Sequence, residues 1–159
     1  MRLLVISDTH GRASVIDRIL RRESEAKEVF FLGDVVRDIE QVLPEYSDRN
    51  FHIVHGNCDY FCNYPLFDIA EYKEFGVCVF FTHGHRYSVK SGTDGILEAA
   101  KGVSANIVLY GHTHIFGIEY KDGVYVINCG SPALPRNGTG TYAVIDITKA
   151  GILPAIKNV

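Results

Sequence analysis

Five short apolar runs in this chain each stop at residues that bind hard or borderline metal ions. Leu3-Leu4-Val5-Ile6-Ser7 leads into Asp8-Thr9-His10, and Val29-Phe30-Phe31-Leu32-Gly33 leads into Asp34. Phe51-His52-Ile53-Val54-His55-Gly56 leads into Asn57. Val77-Cys78-Val79-Phe80-Phe81-Thr82 leads into His83-Gly84-His85, and Ile107-Val108-Leu109-Tyr110-Gly111 into His112-Thr113-His114. Runs this short, rich in Val, Ile and Phe and closed by Gly or polar residues, read as buried strands. Five strand ends carrying carboxylate, imidazole and amide groups can converge on one edge of a sheet. That geometry builds a two-metal site, and such sites hydrolyse phosphate esters.

Between the runs lie helical patterns. Residues 14–25 place Val15, Ile16, Ile19 and Leu20 on one face, and Ser14 with Asp17 resembles a cap. Residues 38–48 carry Ile39, Val42, Leu43 and Tyr46 at helical spacing, but Pro44 removes a backbone donor, so a helix in two pieces is expected. Residues 93–101 read as a third helix, ended by Gly102. Strand, helix, strand, helix, strand predicts a largely parallel sheet at the start. Beyond Gly111 the pattern changes. Residues 115–120 and 123–129 flank Asp122-Gly123, a hairpin signal, and residues 141–147 alternate like a further strand. The second half is therefore expected to be antiparallel or mixed. The expected fold class is α/β, with two sheets packed face to face, helices outside, and a single domain over residues 1–159.

The bulk numbers narrow the partners. A net charge of −3 gives no basic face for long nucleic acid. Arg18, Arg21 and Arg22 cluster, but on the polar side of a helix, where they read as a solvated face. No run approaches a transmembrane span, so no membrane partner is expected. The stretch before Asp8 is too short for an apolar signal core. Cys58, Cys62, Cys78 and Cys129 form no C-x-x-C pair and read as reduced thiols of a cytoplasmic protein.

The chemistry lies in the spacing. In an extended segment residues i and i+2 point to the same side, so the carboxylate of Asp8 and the imidazole of His10 can grip one ion. His112-x-His114 and His83-x-His85 repeat that logic with two imidazoles. Asp34 can reach two ions through its two oxygens, and Asn57 supplies a neutral oxygen suited to a hard divalent ion. Gly33, Gly56 and Gly111 remove side chains where the backbone must turn sharply beneath the ions. Any one of these residues alone is a common strand-end cap; the whole set is not.

The ordered set Asp-x-His, Gly-Asp, Gly-Asn, Gly-His and Gly-His-x-His resembles the calcineurin-like metallophosphoesterases. Gly56-Asn57-Cys58-Asp59 and the stretch from Asn128 through Gly130-Ser131 to Pro135-Arg136 are similar to its small single-domain, YfcE-like phosphodiesterase subgroup. The resemblance implies a four-layer α/β/β/α sandwich. It implies one metal held by Asp8, His10, Asp34 and His114, and another by Asp34, Asn57, His83 and His112, with Asp34 shared. Asp34, Asn57, His83 and His112 are then the catalytic set. The implied cofactor is a pair of divalent ions, Mn²⁺ first, with Ni²⁺, Fe²⁺, Co²⁺ or Zn²⁺ as alternatives. The implied reaction is attack of a metal-activated bridging water on a small phosphodiester or nucleotide. Cys58, Asp59, His85 and Arg136 are the expected substrate-side residues.

The chain departs from the wider pattern in three places. Cys58 stands where many members have a His that protonates the leaving group, so esters with good leaving groups are expected to be favoured, with His55 or His85 as substitute donors. Arg37-Asp38 lacks the Asp-Arg-Gly order of longer phosphatases, and no catalytic role passes to Arg37. Cys129 stands where Pro is common. Tyr60, Phe61, Tyr64 and Phe67 follow Asn57 closely and can wall a pocket or make a homodimer or homotetramer contact. Alternative readings are a phosphomonoesterase, nucleotidase or nuclease on the same site, or a protein-binding scaffold similar to a retromer subunit that retains the metal site.

Overall fold

A computed structural model of the chain describes residues 1–159. Strand β1 (Arg2–Ile6) alternates as a strand must: Leu3 and Val5 point into one core, Leu4 and Ile6 into another. Both faces are therefore buried, which is why the run reads as continuously apolar. β1 pairs in parallel with β2 (Glu28–Phe31), and β2 with β3 (Asn50–Ile53). On its other side β1 pairs antiparallel with β9 (Thr141–Thr148), and β9 with β10 (Gly151–Asn158). The second sheet runs β4 (Phe67–Tyr72), β5 (Val77–Thr82), β6 (Ile107–Tyr110), β8 (Val124–Asn128), β7 (Gly117–Lys121). Here β5, β6 and β8 are parallel, and β4 and β7 are antiparallel edges.

Three cores separate four layers. Leu3, Val5, Phe30 and Leu32 of the first sheet meet Val79, Phe81, Ile107 and Leu109 of the second. Helices α1 (Ala13–Arg22) and α2 (Val36–Val42) cover the outer face of the first sheet through Ile16, Ile19, Leu20 and Ile39. Helix α3 (Asp94–Gly102) covers the second through Ile96, Leu97 and Ala100. This is the expected pair of mixed sheets flanked by helices.

The details depart from expectation in instructive ways. Ser14 is not a cap: it sits inside α1, whose first turn has no side-chain cap. α2 breaks where Pro44 predicts, giving way to a 3₁₀ turn over Leu43–Tyr46. Gly102 is the last residue of α3, and Val103 is its C-cap. β4 and β10 were not anticipated. Both are edge strands: β4 buries only Ala70, and β10 contains Pro154, tolerated where one strand face has no partner.

Candidate metal centre

Parallel pairing brings the C-terminal ends of β1, β2 and β3 to one edge, with Asp8, Asp34 and Asn57 just beyond them. β5 and β6 end opposite, delivering His83 and His112. The chain turns sharply as it leaves these strands. Asp8, His10, Asp34, His112 and His114 all have φ between 46° and 67°, the left-handed region that L-residues enter at a cost. Val35, a β-branched residue, is at φ 77°. Such strain is of order 1–3 kcal/mol per residue and persists only where surrounding bonds enforce it.

Two carboxylates, Asp38 buried and Asp59 half-buried, enforce the turns after β1 and β2. Asp59 accepts N–H groups of Val35 (3.0 Å) and Val36 (2.7 Å) on one oxygen, and of Asp34 (2.9 Å) and Gly56 (2.7 Å) on the other. It thereby caps α2 from a neighbouring loop. Asp38 accepts from the Thr9 hydroxyl (2.6 Å) and the N–H groups of Gly11 (2.8 Å) and Arg12 (3.1 Å), holding the Asp8-Thr9-His10 turn from α2. All three glycines serve close approach, and Gly33 (φ +92°) also makes the expected turn: a Cβ at Gly33 would overlap the Gly56 backbone, one at Gly56 the Asp34 carboxylate, and one at Gly111 Ser7 and Asp8.

Seven side chains meet there. His83 Nε2 lies 3.2 Å from Asn57 Oδ1, 3.2 Å from His112 Nδ1 and 3.5 Å from Asp34 Oδ1. His114 Nε2 lies 3.2 Å from Asp8 Oδ1 and 3.2 Å from His10 Nε2. His10 Nε2 is 3.9 Å from both Asp8 Oδ1 and Asp34 Oδ2. Asp34 thus turns one oxygen to each group. Donors about 2.1 Å from a shared ion sit roughly 3.0–3.4 Å apart in octahedral or tetrahedral arrangement, so the 3.2 Å separations fit divalent cations, while His10 stands wider from the two carboxylates.

The tautomers point the same way. The Nδ1–H of His83 donates to the Leu32 carbonyl (2.8 Å) and that of His114 to the Leu134 carbonyl (2.7 Å), turning each Nε2 toward the cluster. Asp8 Oδ1 is buried without a hydrogen-bond partner. Burial opposes the charge of Asp8, yet His114, His83 and Ser7 hold its carboxyl below the usual carboxylate range. The Asp8 carboxylate pushes His114 up. Burial, with His83 beside it, pushes His112 down to about 4, which keeps it a neutral donor.

Residues 1–150 match the family model of the calcineurin-like phosphoesterase superfamily domain. The chain belongs to that superfamily. It is 31% identical over 152 residues to the "Probable metallophosphoesterase YsnB" of Bacillus subtilis, spanning 92% of this chain and 85% of that protein. It is 27% identical over 170 residues to the phosphodiesterase YfcE of Escherichia coli, spanning 92% of this chain and 88% of that one. The crystal structure of Vps29 from Chaetomium thermophilum superposes with a TM-score of 0.80 at 17% identity, covering 100% of this chain and 95% of that one, a likeness of fold. Calcineurin-like phosphoesterases are hydrolases that use divalent metals, and the Asp and His groups at this sheet edge are the ones able to hold them.

The expected substrate-side residues fare differently. Cys58 is exposed, with its thiol close enough to share a ligand group with His10 and Asp34; burial, then Asp34, push that thiol up to about 11. Asp59 does not face the cluster, because backbone donors take both its oxygens. His85 lies tilted between His55 and His83, ring centroids 6.0 and 5.4 Å away, and burial with those neighbours pushes it down to about 4. Arg136 is exposed beside His114, whose carbonyl its N–H meets at 3.0 Å, and its guanidinium forms no ion pair. Phe67 does not join Tyr60, Phe61 and Tyr64: it lies on β4 against Phe80, ring centroids 5.6 Å apart. Sequence reasoning missed Asp38. Its signal was a carboxylate on the buried face of α2, one helical turn after Asp34.

Proposed function

We propose that the chain is a single-domain, metal-dependent phosphodiesterase. The observation that carries this reading is the convergence of seven donor groups with Asp34 shared between two subsets. One ion would be held by Asp8, His10, Asp34 and His114, the other by Asp34, Asn57, His83 and His112. Bound there, two divalent ions supply an activated water and neutralise charge on the phosphoryl oxygens. The protein's own part is orientation. Leu32 and Leu134 carbonyls fix His83 and His114, while Asp38 and Asp59 fix the turns that carry Asp8, His10 and Asp34. Arg136, exposed and next to His114, would take a phosphoryl oxygen. Mixed oxygen and nitrogen donors support manganese. The name of YfcE supports diester over monoester. Four free cysteines and the absence of any helix long and apolar enough to cross a membrane support a cytoplasmic location.

The test is hydrolysis of bis-p-nitrophenyl phosphate beside p-nitrophenyl phosphate by metal-stripped protein given Mn²⁺. The expected outcome is Mn²⁺-dependent diester cleavage that falls about 10³-fold in Asp34→Asn and His112→Ala. Preference for the monoester moves the reading to a phosphatase. Silence with both esters across several metals, from folded protein, moves it to a binding module.

A further inference from the structure

Beside the metal cluster the molecule opens into a hollow of about 700 Å³ that the chemistry above does not use. Cys58 joins the two, lining the hollow while its thiol lies within 4.8 Å of the ligand atoms of His10 and Asp34. The far wall is the loop after Asn57. That loop is pinned at one end by the four bonds of Asp59 and at the other by the His55 N–H on the Pro65 carbonyl (3.0 Å). Between the pins it holds Tyr60 and Phe61 out to solvent at 78% and 107% exposure, with Phe61 at φ 61°. A loop fastened at both ends that presents two bare aromatic rings at the mouth of a hollow gains by covering them with a flat partner. Tyr64 continues the wall beside Glu40, which pushes its phenol up after burial does. Arg37 completes it, exposed and without an ion pair.

Resting on the phosphodiesterase reading, we infer that this hollow is a subsite for the nucleoside of a mononucleotide-sized diester. The base stacks on Tyr60 and Phe61, and the phosphate reaches the metal cluster past Cys58. The size fits: hollows of about 300–1,000 Å³ enclose ligands of nucleoside scale. Glu40 and Asn63 offer hydrogen-bonding groups to base or sugar. A hollow lined by one guanidinium, in a chain of net charge −3, suits one nucleotide and not a polynucleotide, whose phosphates call for a track of cations.

The experiment uses full-length protein loaded with Mn²⁺. Calorimetric titration compares AMP, ribose 5-phosphate and phenyl phosphate. AMP is expected to bind about tenfold tighter than either, the scale of one stacked base. The Tyr60→Ala/Phe61→Ala double variant, altered only at exposed rings, closes that gap. Equal affinities for AMP and ribose 5-phosphate overturn the subsite. Phenyl phosphate binding as tightly as AMP overturns the nucleoside assignment. In parallel, the p-nitrophenyl ester of thymidine 5′-phosphate is compared with methyl p-nitrophenyl phosphate, which shares its leaving group. The nucleotidyl ester is expected to show a KM about tenfold lower, and the double variant to bring the two values together. Tighter AMP binding with neither ester cleaved overturns the diesterase reading and upholds the subsite. Both esters cleaved with equal KM, and no preference for AMP, overturns the subsite and upholds the diesterase.

Discussion

At the N-terminal ends of the strands, charges find partners. Arg2 donates to both oxygens of Asp146 (2.8 and 2.9 Å) and reaches Glu23 at 3.4 Å, and Glu23 accepts the Tyr142 hydroxyl at 2.9 Å. Glu28 takes Asn50 (2.6 Å), His52 (2.7 Å) and Tyr72 (2.9 Å), tying the first sheet to β4 of the second. At the C-terminal ends acceptors face acceptors. Two imidazole lone pairs, two carboxylates and an amide oxygen crowd together, on backbone in the left-handed region. One end spends its polar groups on holding the sandwich closed. The other keeps them open for a cation, and the surrounding bonds of Asp38 and Asp59 carry the strain.

Asp59→Ala breaks the contrast most severely, because four N–H groups lose one acceptor. Urea unfolding is expected to show a loss of about 3 kcal/mol, and Mn²⁺ titration an affinity 10–100-fold weaker. Unchanged affinity would mean that the Asp34 turn holds itself. Asp34→Asn sharpens the contrast: in metal-free protein it is expected to raise stability by about 1 kcal/mol, by removing a charge from a cluster of acceptors. A fall of similar size would place both ends under the same rule. Tyr72→Phe probes the other end, with a cost of about 1 kcal/mol and no change in kcat/KM. A change in kcat/KM would couple the two ends.

The smallest effect concerns pH. Burial works against the Glu28 charge, but Asn50, His52 and Tyr72 outweigh it, so its carboxyl titrates below the ordinary 4.5. A depressed carboxyl contributes stability that is present above 4.5 and lost as pH falls through its folded value. Glu28→Gln is therefore expected to flatten the acid limb of a Tm-against-pH curve. An unaltered limb would assign acid lability to other carboxylates.

Much of this was legible because strands buried on both faces leave an unmistakable mark. The interiors of β1, β2, β5 and β6 are apolar, and each strand ends within three residues of the site residue it carries. β4 left no such mark, since Phe67 and Ile69 face solvent and only Ala70 is buried, while Pro154 argued against β10. Within the site, residue type and spacing named which groups would meet. They mark Asp34 as a ligand but put Asp59 on the substrate side, since nothing in the run Gly56-Asn57-Cys58-Asp59 tells of the backbone donors that this carboxylate meets. Only the packing shows that backbone donors consume Asp59, and that Asp38 reaches back across to the turn after β1.

Asp8, His10, Asp34 and Asn57 leave the first sheet, whereas His83, His112 and His114 leave the second. A cation gripped from both sides would therefore act as a rivet through the seam of the sandwich. Its site is complete only once the two sheets have docked, so binding would draw the fold toward the docked state. The four cysteines of the chain are free. Such a cross-link would be one that a chelator can pull out and a pinch of metal salt can put back.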